Sequence, residues 1–191
     1  MQTTGYSPVM LAGEQQSARR ILDKLMQCLR SDAWQAHDGI DLDWLETAFN
    51  KLLMIDRYCH ERKIERYVIP AIRRASTDAD ALLDRLETLS VEALRILRYA
   101  YDQIQRAADG GEIASEMLIA VMELYCLRML ERLALEEDEL FPVARRILSN
   151  DDWFRIAARC LSESGVQRSA SRQGYAVGSH DRWHRRQFYV H

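Results

Sequence analysis

Apolar residues recur every three or four positions over long runs of this chain, and short polar clusters separate the runs, so the sequence predicts long amphipathic helices. The first runs from Pro8 to about Ser31, with Ile21, Leu22, Leu25, Met26 and Leu29 as its stripe. Ser31 to Asp41 reads as a loop. A second helix starts near Asp41 and carries Trp44, Leu45, Phe49, Leu52, Leu53, Ile55 and Tyr58 to about Ile69, where Pro70 bends or ends it. Ser76 to Asp80 offers N-cap residues for a third helix from about Asp80 to Ala108. After the break at Asp109-Gly110-Gly111, a fourth runs from about Glu112 to Leu148, bent at Pro142. Ser149 to Asp152 caps a short fifth helix through Trp153, Ile156, Ala157 and Leu161. No β-strand pattern is visible. Four long helices joined by short loops predict an all-α, up-down-up-down four-helix bundle over residues 1–162, followed by a C-terminal tail over 163–191.

One segment occurs twice. Glu65-Arg-Tyr-Val-Ile-Pro70-Ala-Ile-Arg73-Arg74 and Glu137-Asp-Glu-Leu-Phe-Pro142-Val-Ala-Arg145-Arg146 share glutamate, apolar pair, proline, apolar pair and double arginine at one spacing. The repeat suggests a pseudo-twofold pair of helix hairpins, with the chemistry where the helices face each other.

Composition adds bounds. Apolar residues at 48% and charged residues at 29% suit a soluble globular chain, and no run of eighteen apolar residues or secretory leader is seen. Cys28, Cys59, Cys126 and Cys160 are widely spaced on apolar stretches, which reads as reduced buried thiols and a cytoplasmic setting. The net charge of −3 divides into a tail of about +4 from Gly165 onward and a body of about −7. That asymmetry does not suggest a nucleic-acid-binding fold. In the tail, His180 and His184 are four apart, a metal clamp if helical, while Tyr175, Trp183, Phe188 and Tyr189 suit docking on a partner or on the bundle. Single-stranded nucleic acid is a weaker match to that basic, aromatic segment. No phosphate-binding loop or nucleophile motif is present, so the sequence gives no reason to expect an enzyme.

Two helix faces carry the candidate chemistry. Glu61 and Glu65 stack four apart behind Tyr58, Arg57 and Met54; Arg132 and Glu136 stack behind Met129, Arg128 and Tyr125. Carboxylates on facing bundle helices are the material of a di-iron site. The same spacing suits a solvated face of glutamates paired with arginines. His60 fits a lone ligand or a hydrogen-bonded surface histidine.

Three stretches together resemble the hemerythrin-like (HHE cation-binding) family. They are Glu14-Gln15-Gln-Ser-Ala-Arg-Arg-Ile-Leu22, His60-Glu61-Arg-Lys-Ile-Glu65-Arg-Tyr-Val-Ile-Pro70, and Arg132-Leu-Ala-Leu-Glu136-Glu137-Asp-Glu-Leu-Phe-Pro142 with the trailing Asn150-Asp-Asp-Trp153. The resemblance covers about residues 10 to 160. It implies a four-helix bundle holding a non-haem di-iron centre that binds or senses oxygen, iron, nitric oxide or peroxide. Several positions depart from the family pattern: Gln15, Glu61 and Arg132 stand where it has histidines, and the third-helix position falls near Val91 and Glu92. His60, Glu65, Glu136 and Glu137 match its ligands.

An arginine cannot ligate iron, because it has no lone pair and stays protonated. The expectation is therefore that Arg132 takes over the metal's charge, with a bidentate bond to Glu61 or Glu65 and with Glu136 as second partner. The chain would then be a binding, regulatory or scaffold module without a cofactor, serving a protein partner or small molecule and neither membrane nor nucleic acid. The alternative is a non-haem iron protein using Glu14, His60, Glu61, Glu65, Glu92, Glu136 and Glu137 to bind or sense oxygen, nitric oxide or iron, or acting as an oxidase.

Overall fold

A computed structural model describes residues 6–31, 35–36, 39–109 and 115–173. It is almost wholly helical: α1 (Tyr6–Leu29), α2 (Leu42–Glu61), α3 (Ile69–Ala75), α4 (Asp80–Ala108), α5 (Ser115–Leu135), α6 (Phe141–Ile147) and α7 (Asn150–Gln173). The chain divides into two compact units, Met1–Ala157 and Ala158–His191. In the first, α1 packs on α2 and α5, and α4 packs on the same two helices. No helix among the described residues is long and apolar enough to cross a membrane.

The amphipathic stripes account for the interior. Leu22, Leu25, Met26 and Leu29 of α1 are buried, as are Leu45, Phe49, Leu52, Ile55 and Cys59 of α2, while the expected stripe member Ile21 faces solvent at 41% exposure. From α5 come Leu118, Met122, Tyr125, Cys126, Met129 and Leu133. Each fully buried Leu or Met is worth about 1.5–3 kcal/mol relative to exposure, which holds helices this long against their conformational entropy. Burial pushes the Cys59 thiol up to about 11 and Cys126 to about 12, so both stay protonated and unreactive at neutral pH.

Helix ends follow local chemistry. Asp41 Oδ1 accepts from Trp44 N at 2.9 Å and starts α2. Ser149 and Asp152 cap each other reciprocally, Asp152 N donating to Ser149 Oγ at 3.2 Å and Ser149 N to Asp152 Oδ2 at 3.1 Å. The expected cap before α4 is absent: Ser76 Oγ accepts from Asp78 N in a local turn, and Ala79 occupies the cap position without a side-chain bond.

Four departures have physical reasons. The two long proline-containing helices are interrupted before their prolines by π-helical turns, Ile64–Val68 and Glu136–Leu140. Pro70 and Pro142 each lack an N–H and crowd the carbonyl one turn back, and a widened turn relieves both problems. Ile69 N–H donates to Ile64 O, and Phe141 N–H donates to Glu136 O, so the repeated segments fold alike. Second, α2 stops at Glu61, because Arg62 is extended at φ −60°, ψ 149°. Third, Gln35–Ala36 and Gly39–Ile40 pair as a minimal antiparallel hairpin (β1 and β2) in the expected loop, too short to give a sequence pattern. Fourth, α7 continues through 163–173, where the sequence suggested a departing tail. Gln167, Arg168, Ala170, Arg172 and Gln173 are good helix formers, proline is absent, and Gly165 alone costs only about 1 kcal/mol. The tail histidines and aromatics from Tyr175 onward lie outside the described residues.

Candidate functional site

The core stripes of three helices each contain a polar residue. Leu11, Ala18 and Leu22 on α1 flank Gln15; Leu52, Ile55 and Cys59 on α2 lead, three residues on, to Arg62; Met129 and Leu133 on α5 lead to Glu136. Gln15, Arg62, Arg132 and Glu136 are the buried polar residues of the described interior. They meet.

Glu136, with a side chain 0% exposed, is the hub. Arg62 grips it bidentately, Nη1 to Oε2 and Nη2 to Oε1, both at 2.8 Å. Arg132 Nη1 donates to Oε1, and Gln15 Nε2 donates to Oε2 at 2.6 Å. Gln15 Oε1 in turn accepts from Arg62 Nη1. Arg132 extends the network outward, its Nη2 donating to Glu65 Oε1 and its Nε to the Leu86 carbonyl at 3.3 Å. Arg62 Nε is held by the Cys59 carbonyl at 3.1 Å, an acceptor freed because α2 ends there. Two guanidiniums and two carboxylates balance to zero charge, as a dry site requires. Burial alone pulls Arg62 down, yet the charge and hydrogen bonds of Glu136 leave it above its ordinary value. It stays cationic.

Backbone geometry brings these groups together. The extended residue Arg62 and the π turn after it separate Glu65 from Glu61, which an uninterrupted helix would have stacked. Glu65 reaches Arg132, while Glu61 remains on the outer face with Arg57 at 2.9 Å, 62% exposed. Of the two expected partners of Arg132, Glu65 pairs with it and Glu61 does not, and the fork bridges Glu65 and Glu136 instead of closing bidentately on one carboxylate. Met54, on the same outer stripe as Glu61, is 72% exposed. The residue missed by sequence reasoning is Arg62, which holds the bidentate bond.

The other candidate carboxylates are dispersed, each with its own cation. Glu14 accepts from Lys63 N at 2.9 Å and pairs with its ammonium; Glu92 pairs with Arg128 at 3.3 Å; Glu137 pairs with Arg19 at 2.8 Å. Val91 is exposed. His60 precedes Pro70 by the same spacing as Arg132 precedes Pro142, yet it is 49% exposed and lies 3.8 Å from Asp56. Among the described residues no group of three or more His, Cys, Asp or Glu side chains converges to hold a metal ion.

A second, partly buried pair adjoins the network. Tyr125 Oη donates to Asp56 Oδ1 at 3.0 Å, and burial with the Asp56 charge raises the Tyr125 pKa. Burial also raises the Asp56 carboxyl above its ordinary 3.8, outweighing His60, the Tyr125 hydrogen bond and Arg132, which lower it. A carboxyl with a raised folded pKa stabilises the fold below its unfolded value and loses that contribution as pH rises through the folded one. Asp56→Asn keeps an acceptor for Tyr125, so it is expected to raise the melting temperature at about pH 7 and leave it little changed at about pH 3. Calorimetry at the two pH values checks this; a lower melting temperature at neutral pH would contradict it.

Comparison with protein-family models, curated proteins and solved structures finds no match.

Proposed function

We propose that this chain is a hemerythrin-like four-helix bundle whose metal centre has been replaced by a covalently supplied ion network, and that it acts as a non-enzymatic binding or regulatory module. Support for the bundle comes from the closed circuit of contacts among α1, α2, α4 and α5, and from the matched π turns ahead of Pro70 and Pro142. The observation that carries the reading is Glu136 held between Arg62 and Arg132.

That donor set does not fit iron. A guanidinium offers hydrogens and no lone pair, and its fixed charge repels a metal cation. Gln15 and Arg132 occupy two positions where the resemblance calls for imidazoles, and the lone pairs of Glu136 already serve Arg62, Arg132 and Gln15. A cation joining them would have to displace an arginine into the core. The permanent charges of Arg62 and Arg132 instead neutralise the old acidic ligands.

Metal analysis tests the reading. Protein purified from iron-supplemented cells is expected to contain iron far below one equivalent per chain and to lack oxo-bridge absorption. Stoichiometric iron with those bands would overturn it.

A further inference from the structure

Beside the network lies a cavity of ≈ 220 Å³, lined from α2, the first π turn, α3, α4 and α5. Its mouth is exposed, with His60, Arg73 and Glu87 all about half exposed or more. Arg132 and Glu65 line it more deeply, their side chains 5% and 19% exposed. Ile69, Leu83 and Leu86 supply apolar wall.

The hydrogen-bond inventory of the deeper groups is incomplete. Arg132 has five N–H donors. Three are used, on Leu86 O, Glu65 and Glu136; among the described residues no acceptor meets the other two. Glu65 takes Arg132 on Oε1, and Oε2 has no donor among the described residues. Ser90, also in the lining, donates its hydrogen to Leu86 O at 3.2 Å, which leaves Oγ as an acceptor. Buried polar atoms find partners in nearly all proteins, in protein, water or ligand, and an open donor beside an open acceptor suits a guest that offers one of each.

Charge narrows the guest further. Arg132 is matched by Glu65, and Arg73 by Glu87 at 3.0 Å. A charged ligand would carry an uncompensated charge into a half-dehydrated space. A neutral one brings no such charge, and its polar groups need only their hydrogen bonds replaced.

We propose that this cavity binds a small neutral molecule with adjacent carbonyl and N–H groups, a carboxamide or lactam, on an apolar body. The carbonyl accepts from Arg132, the N–H donates to Glu65 Oε2 or Ser90 Oγ, and the apolar body rests on Ile69, Leu83 and Leu86. A cavity of about 150 Å³ already holds benzene, so this one suits a single ring with its amide. The proposal names a ligand class for the binding module described above, and rests on that reading only through the Arg132–Glu65 pair.

The test titrates the isotope-labelled full chain with benzamide, benzoate and benzylamine, following amide resonances by NMR. Benzamide is expected to shift Leu83, Leu86 and Ser90 saturably, and the two charged analogues to bind about ten times more weakly or worse. Ser90→Leu fills the space and is expected to abolish the shifts with circular dichroism unchanged. Should that variant not fold, Glu87→Trp at the exposed mouth blocks the same space. Absence of saturable benzamide shifts at millimolar concentration overturns the proposal, as does equal binding of a charged analogue or binding that survives in the filled variants. Iron content of the same samples reports on the metal-replacement reading independently, so either can fail alone.

Discussion

Glu136→Leu is expected to be the most damaging single substitution in the chain. It removes the acceptor shared by Arg62, Arg132 and Gln15, and leaves Arg62 with no carboxylate within hydrogen-bonding distance in a 1%-exposed site. Breaking one buried pair typically costs about 3–5 kcal/mol. With two guanidiniums affected, the loss lies at or above the top of that range and approaches the whole stability of a domain, about 5–15 kcal/mol. Urea denaturation of wild type and variant measures it. A loss near about 0.5 kcal/mol, the size of an ordinary surface change, would mean the hub has no energetic role. Glu136→Gln, which keeps the shape and one acceptor, is expected to fall between.

The second large effect is non-additivity. Arg62→Met and Arg132→Met should each cost about 3–5 kcal/mol, since each removes one of the two cations and leaves the network with an unbalanced negative charge. In Arg62→Met/Arg132→Met/Glu136→Leu no buried ion remains, and Glu65, 19% exposed, can turn to water. Replacing a buried ionic cluster by apolar residues of similar volume is often neutral or stabilising. The triple variant should therefore recover most of the lost stability, and a double-mutant cycle gives the coupling directly. If the triple variant is no more stable than Glu136→Leu alone, packing defects rather than charge explain the single variants.

Much of this arrangement was legible in advance, and the gaps have specific causes. Long apolar stripes located the helices, and the repeated glutamate-to-arginine segment marked both proline-bearing turns. What periodicity could not deliver was the phase change at Arg62. A helix read as unbroken from Asp41 to Ile69 stacks Glu61 with Glu65, whereas the extended residue at 62 and the widened turn after it part them. The missed arginine had nonetheless left a trace. Continuing the buried sequence Leu52, Ile55, Cys59 by three residues lands on Arg62, just as Leu11 and Ala18 bracket Gln15. A charged or amide residue at a core-facing position needs an internal partner, and the three interrupted stripes point at one another. The short hairpin and the extension of α7 carry no such trace, because two-residue strands lack a period and a polar helix shows no stripe.

The positive charges that oppose Glu136 are side chains of the chain itself, Arg62 and Arg132. A centre filled from solution makes the finished state depend on delivery, on the oxidation state of what arrives, and on competitors for the same slot. Here the counter-charges arrive with translation, in fixed ratio to the acids they oppose. Refolding in the presence of a strong chelator should accordingly return the complete native state, with no lag for loading.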